Sequence, residues 1–258
     1  MTAVPDSVLI VGAKLFDGDR FLPRGCLLVR EGRVAALDAR LTPPAGVPVL
    51  DARGGTVLPG LIDAHVHVFP GALHSALRSG VTTELDMFAD PGLVSALVQQ
   101  ASSDPSAADL RSAGIGATAP GGHPTRLVTQ GLLAPFPTVT GPAQAEDFVA
   151  ARVAEGSHYL KVILEDGATT GHAVPTLTAD TVQALVGAAH ARGLLVVAHA
   201  LTQAHALLAV GAGVDGLAHL FLDEPPSAQF LDAAAHRGVF TIPTLTSLAA
   251  RSGHGRGR

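Results

Sequence analysis

The chain has a single cysteine, Cys26, which excludes an internal disulfide and any paired-cysteine zinc knuckle. It has no tryptophan and one tyrosine, so its core must be built from Ala, Val and Leu. Charged residues make up only 15%, with 17 Lys and Arg against 22 Asp and Glu. That slightly acidic balance gives no electrostatic footprint for nucleic acid. No apolar run approaches the roughly 18 residues of a membrane span, so no membrane partner is expected. Pro5 and Asp6 precede a short apolar run, Val8 to Val11, too brief for a secretory leader. A reducing, cytoplasmic setting fits the lone thiol.

What remains is a globular composition. Hydrophobic residues reach 47% over 258 residues, enough for one large domain, or one large and one small. Residues 1–57 read as a small β-sandwich-like unit. Its strands are broken by Gly, Pro and Asp, and a hairpin turn falls at Glu31-Gly32-Arg33. From Leu58 strands and helices alternate. Strands are expected over 58–68, 81–88, 109–118, 158–164, 194–200, 216–220 and 239–246. Helices are expected over 71–80, 92–103, 145–156, 178–193, 202–213 and 227–238, the fourth capped by Thr178 and closed by Gly193. The alternation predicts an α/β fold with a parallel sheet, and the unit count fits a (β/α)₈ TIM-type barrel stopping one unit early. A doubly wound open sheet is the alternative, disfavoured because no Gly-rich phosphate loop follows the first strand. The Gly- and Pro-rich segment from Ala119 to Pro142 is long enough to be a functional or mobile loop. Residues 247–258 read as a disordered tail.

Histidine is the unusual residue, with twelve in a chain of few charges. His65 and His67 lie two apart on one strand and so share a face, with Asp63 beside them. Two imidazoles on one strand face suit a divalent metal, although in isolation two satisfied core histidines would look the same. Lys161 sits in the middle of an apolar strand, where a bare ammonium is costly unless paired, modified or snorkelling to solvent. His199 and His219 each fall late in their own strands. The conjunction separates the readings, because independent core histidines would rarely fall into the order HxH, Lys, His, His. His123, in Pro-Gly-Gly-His-Pro, and Tyr159, on the Lys161 face, are the candidate substrate-binding residues, with Arg126 nearby. His74, His190, His205 and His236 fall on expected helices, His158 opens a strand, and His172 and His254 are in loops. None of these is a site candidate.

The segments Leu-Pro-Gly-Leu-Ile-Asp-Ala-His-Val-His, Ser-Gly-Val-Thr-Thr, Tyr-Leu-Lys-Val, Ala-His-Ala and Leu-Ala-His-Leu, in that order, resemble the amidohydrolase superfamily. Within it they are most similar to the imidazolonepropionase-like and Xaa-Pro-dipeptidase-like branch. The resemblance implies two divalent metal ions, usually zinc. His65 and His67 would hold one, His199 and His219 the other, and a CO₂-derived carboxylate on Lys161 would bridge them. It implies metal-dependent hydrolysis of an amide C–N bond in a small-molecule substrate. It also implies a general-base aspartate after an eighth strand, and here the chain departs from the pattern. After Thr246 come only Ser247, Leu248, Ala249, Ala250 and an Arg/Gly-rich tail, and Asp63, Asp86 and Asp90 do not match that position. The catalytic base is therefore unassigned. Three readings follow: an active amidohydrolase, a truncated and impaired one that still binds metal, and a non-catalytic binding module on a barrel scaffold. An open barrel would expose strand edges and favour a homo-oligomer or low solubility.

Overall fold

The computed structural model describes residues 6–169 and 171–251, and the chain divides into two compact units, Met1–Leu61 and Ile62–Arg258. The first unit is a single sheet of β1 (Val8–Phe16), β2 (Phe21–Arg30), β3 (Arg33–Asp38), β4 (Val49–Asp51) and β5 (Thr56–Val57). The order is β3-β2-β1-β4, with β5 also on β1. Leu9, Ala13 and Leu15 form its small core from one face of β1. β2 and β3 pair antiparallel up to Arg30 opposite Arg33, leaving a loop of Glu31 and Gly32 with φ of 51° and 70°. Positive φ at both loop residues matches the right-handed twist of the flanking strands, and glycine takes the second position without strain. Among the described residues these strands form one sheet; alternation in sequence predicts strands but not how many layers they form.

The second unit begins within β6 (Leu61–Val66) and continues with α1 (Ala72–Arg78), β7 (Val81–Asp86), α2 (Pro91–Ser103) and β8 (Asp109–Ser112). It continues with α3 (Arg126–Thr129), α4 (Ala145–Ala154), β9 (Leu160–Leu164), α5 (Ala179–His190), β10 (Val196–Ala200) and α6 (Gln203–Ala212). It ends with β11 (Gly216–Ala218), α7 (Ala228–Arg237), β12 (Phe240–Ile242) and α8 (Leu245–Arg251). Local chemistry sets these boundaries. Asp90 accepts from the N–H groups of Gly92 and Leu93 ahead of Pro91, and Thr178, Thr202 and Ser227 cap α5, α6 and α7 in the same way. Gly213 and Gly238 take the left-handed position that ends α6 and α7.

The strands form two arcs, β6-β7-β8 and β9-β10-β11-β12, joined where Ala117 bridges Val162 in parallel register. Among the described residues no ladder returns from β12 to β6, so the expected barrel is seen as seven strands without closure. Leu160, Val162 and Leu164 pack outward with Val182, Leu185 and Val186 of α5. Met87, Val197 and Ala218 pack together on the inner side, with Leu85, Tyr159 and Ile242 against them. That inner layer is the floor of the site.

The end of the chain differs from its sequence reading. The strand expected over 239–246 stops at Ile242, because Pro243 has no N–H for the ladder and Thr244 takes φ of 47°. Residues 247–251 then continue helix α8 instead of forming a disordered tail. The rest of that tail, with His254, lies outside the described residues. No helix among the described residues is long and apolar enough to cross a membrane.

Candidate metal centre

His65, His67, Lys161, His199 and His219 all line one cavity of about 1020 Å³. The ring of His65 lies 5.5 Å from that of His67 and 4.5 Å from that of His219, and His199 lies 4.8 Å from His219. Pleating explains the convergence. His65 lies on β6 and His67 follows it one residue past the strand's end, two positions on, and Lys161 opposes Val197 in the β9–β10 ladder, one pleat below the pair His199 and Ile163. His219 follows β11 with φ of 74°, a backbone that costs an L-residue about 1 kcal/mol. Its N–H bond to Ile242 O, at 2.8 Å, helps hold it there.

Neighbouring groups of the cavity wall orient the imidazoles. His67 Nδ1 faces the Phe88 carbonyl at 3.3 Å, and a carbonyl only accepts, so Nδ1 carries a hydrogen. His219 Nδ1 pairs with Thr244 Oγ1 at 2.7 Å. Burial, with Lys161 and neighbouring rings adding to it, pushes His65 down to about 3. Burial takes His219 to about 2 and His199 to about 4, the latter partly offset by Glu165. These rings are therefore neutral at ordinary pH, the form that binds metal. Lys161 is 3% exposed, and burial pulls its amine down to about 7.

Lys161 Nζ and His65 Nδ1 are buried polar atoms with no hydrogen-bond partner. Orphaned donors and acceptors of this kind are costly and call for a missing partner. With the neutral imidazoles around them, the donor set fits divalent metal. As the side chains stand, no three His, Cys, Asp or Glu among the described residues form a ready ligand group.

The candidate substrate residues separate. His123 lines the cavity and stacks 5.6 Å from His199, carried by a turn in which Thr118 Oγ1 donates to the His123 carbonyl at 2.7 Å. Tyr159 does not line it. Its hydroxyl donates to Asp86 O at 2.7 Å and its ring packs into the floor. Tyr159 lies two residues before Lys161, just ahead of β9. Arg126 is exposed and outside the lining.

Two acids beside the histidines carry little mark in the sequence pattern. Asp86 is fully buried, accepting from Ser112 Oγ at 2.6 Å and from Val68 N at 3.2 Å, which pins the chain just past His67. Glu165, 6% exposed, lies 3.4 Å from His199 Nε2. Its only signal was the alternation Lys161, Ile163, Glu165.

A third acid gives a prediction. Glu84 is 8% exposed and its Oε2 has no partner. Burial, then Asp63 and Asp86, raise its pKa. Glu84→Gln should stabilise the fold by about 1 kcal/mol near neutral pH in urea denaturation. The folded state takes up this proton more readily than the unfolded chain, so the parent gains relative stability as pH falls through the raised pKa. The advantage of the variant must therefore shrink toward acid, and a gap that stays constant from about pH 8 to about pH 4 would rule the account out.

The sequence profile of the amidohydrolase family matches residues 56–256. An adenine deaminase of Chelativorans sp. (strain BNC1) is 30% identical over 199 residues, covering 66% of this chain and 32% of that protein. The fold is similar to a Xaa-Pro dipeptidase crystallised with methionine in its active site, with a TM-score of 0.79 at 23% identity over 96% of this chain and 70% of that one. It is also similar to a prolidase complexed with N-methylphosphonate-L-proline, with a TM-score of 0.78 at 22% identity over 98% and 70% of the two chains. The match spans 12% of an N-acyl-D-aspartate deacylase and 15% of a dihydroorotase, well under two thirds of these curated relatives.

Proposed function

The chain belongs to the amidohydrolase family, and on that premise we propose that it is a metal-dependent hydrolase cleaving an amide C–N bond in a small molecule. The observation that carries this is the gathering of four histidines and a buried, unpartnered lysine on one cavity. His65 and His67 would hold one ion and His199 and His219 a second, with Lys161 bridging them as its carboxylate. Zinc suits imidazole and carboxylate donors, though other divalent metals share them. When bound, such a pair supplies Lewis-acid polarisation of a carbonyl and an activated water.

The chain's own residues supply orientation and exclusion of bulk water. Phe88, Leu93, Leu127 and Leu133 give the cavity apolar walls to seat the substrate's apolar part. His123, on the wall beside His199, would contact the substrate. Carboxylation of Lys161 would remove an orphaned buried amine and supply acceptor oxygens among neutral rings. A second reading is a metal-binding chain with impaired turnover.

The test is zinc uptake in bicarbonate, followed by turnover on a panel of N-acyl amides and dipeptides. The parent should take up about two ions per chain, and a His65→Ala/His67→Ala double variant about one at most. Parent uptake below about one ion would overturn the metal reading. Uptake with no turnover would select the second reading.

A further inference from the structure

We propose that the Glu165 carboxylate is the positioning residue for His199, holding its imidazole as the Nε2–H tautomer so that Nδ1 is the atom offered to a metal ion. The metal half of this statement rests on the reading above; the tautomer half does not.

Glu165 follows β9 on the face that carries Lys161 and Ile163, and Ile163 is the ladder partner of His199. That places Glu165 diagonally across from His199, within reach of a long side chain. Oε2 lies 3.4 Å from His199 Nε2, while Oε1 accepts the Gly167 N–H at 2.7 Å. Oε1 is thereby committed as an acceptor, and Oε2 is the oxygen that faces the ring nitrogen. An ionised carboxylate can only accept, so the ring nitrogen facing it carries the hydrogen and the lone pair stays on Nδ1.

The contrast with the neighbouring rings sharpens this. His67 and His219 engage Nδ1, with Phe88 O and Thr244 Oγ1, which leaves Nε2 as the other ring nitrogen. His199 is held the other way round. Among the described residues, His199 alone of His65, His67, His199 and His219 has a carboxylate partner. The other nearby acids are engaged elsewhere: Asp86 with Ser112 and Val68, Asp63 with the His65 N–H, and Asp90 at the start of α2. An outer carboxylate of this kind fixes ring orientation and makes the free nitrogen more basic.

Glu165→Gln tests the assignment. Glutamine fills the same space, and its oxygen can still accept from Gly167. Its amide group then faces His199 as a donor, which turns Nε2 into the acceptor and moves the ring hydrogen to Nδ1. The primary readout is the ¹⁵N-histidine tautomer in the metal-free full chain, with His199 assigned by the loss of its signals in His199→Gln. The parent should show Nε2–H and Glu165→Gln should show Nδ1–H. Zinc affinity, measured by chelator competition in bicarbonate, should fall about 10- to 100-fold in the variant with little change in melting temperature.

A parent His199 protonated on Nδ1 overturns the proposal without any variant, so a Glu165→Gln chain that failed to fold would not shield it. An unchanged tautomer with zinc affinity within about twofold of the parent reduces Glu165 to a turn acceptor and also overturns it. A parent that shows Nε2–H but takes up no zinc upholds the Glu165–His199 pair and overturns the metal reading beneath it.

Discussion

A Lys161→Met chain should melt higher than its parent in metal-free, bicarbonate-free buffer and should fail to bind a metal pair. Both effects come from one atom. Lys161 Nζ is buried with no partner, and burial has already drawn its amine down to about 7. An unsatisfied buried polar group costs about 1–3 kcal/mol, and methionine removes it while keeping an unbranched stem of similar length. The stem must follow the same path, because even a methyl group added at Gly116 would meet Lys161 Cγ at 3.2 Å. A gain of about 1–2 kcal/mol is therefore expected, a rise of a few degrees by calorimetry. Under zinc and bicarbonate the thioether can neither be carboxylated nor bridge two ions. Affinity should fall about 100-fold or more, and any hydrolysis should drop to background. Opposite signs for stability and function are the mark of a residue kept for chemistry. A lysine whose amine reached solvent would give neither effect. A variant that melted clearly lower, or kept two ions, would show that Lys161 serves the fold.

The alternation of elements in the second unit was legible because its punctuation is chemical. Pro91, Thr178, Thr202 and Ser227 open helices, while Gly213 and Gly238 close them, and each acts at its own position whatever the rest of the chain does. The clustering of the histidines was foreshadowed by their order, since late positions on successive parallel strands open onto the same end. Other features depended on contacts that local pattern does not carry. Tyr159 shares a face with Lys161, but period-two alternation gives the side and not the level, and its hydroxyl was claimed by the Asp86 carbonyl. Glu165 follows an apolar strand and precedes Asp-Gly, so it read as the first loop residue although it is buried against His199. Helix α8 has a Thr- and Ser-rich start and no side-chain pattern strong enough to outweigh the strand reading before it. The small unit read as strands correctly, but nothing in its alternation distinguished one layer from two.

Gly167→Ala should be the most damaging single methyl addition near the site. Gly167 has φ of 85°, which costs alanine about 1 kcal/mol. A Cβ there would also overlap the backbone carbonyl of His172, and backbone cannot rotate away as a side-chain tip can. Overpacking of this kind costs about 1–3 kcal/mol, so a loss of about 2–4 kcal/mol is expected in urea denaturation. The strain has a direction. Gly167 N–H donates to Glu165 Oε1, and Val174 N–H donates to Asp166 O, so relief at Gly167 must loosen the segment that holds Glu165. If the chain relaxes locally instead of losing global stability, amide exchange should rise around residues 165–174 and little elsewhere. Zinc affinity should then fall as it does in Glu165→Gln, because in both cases the carboxylate no longer fixes His199. A Gly167→Ala chain with parental stability and parental zinc affinity would mean that the segment accommodates a side chain freely, and the link from this turn to His199 would fail.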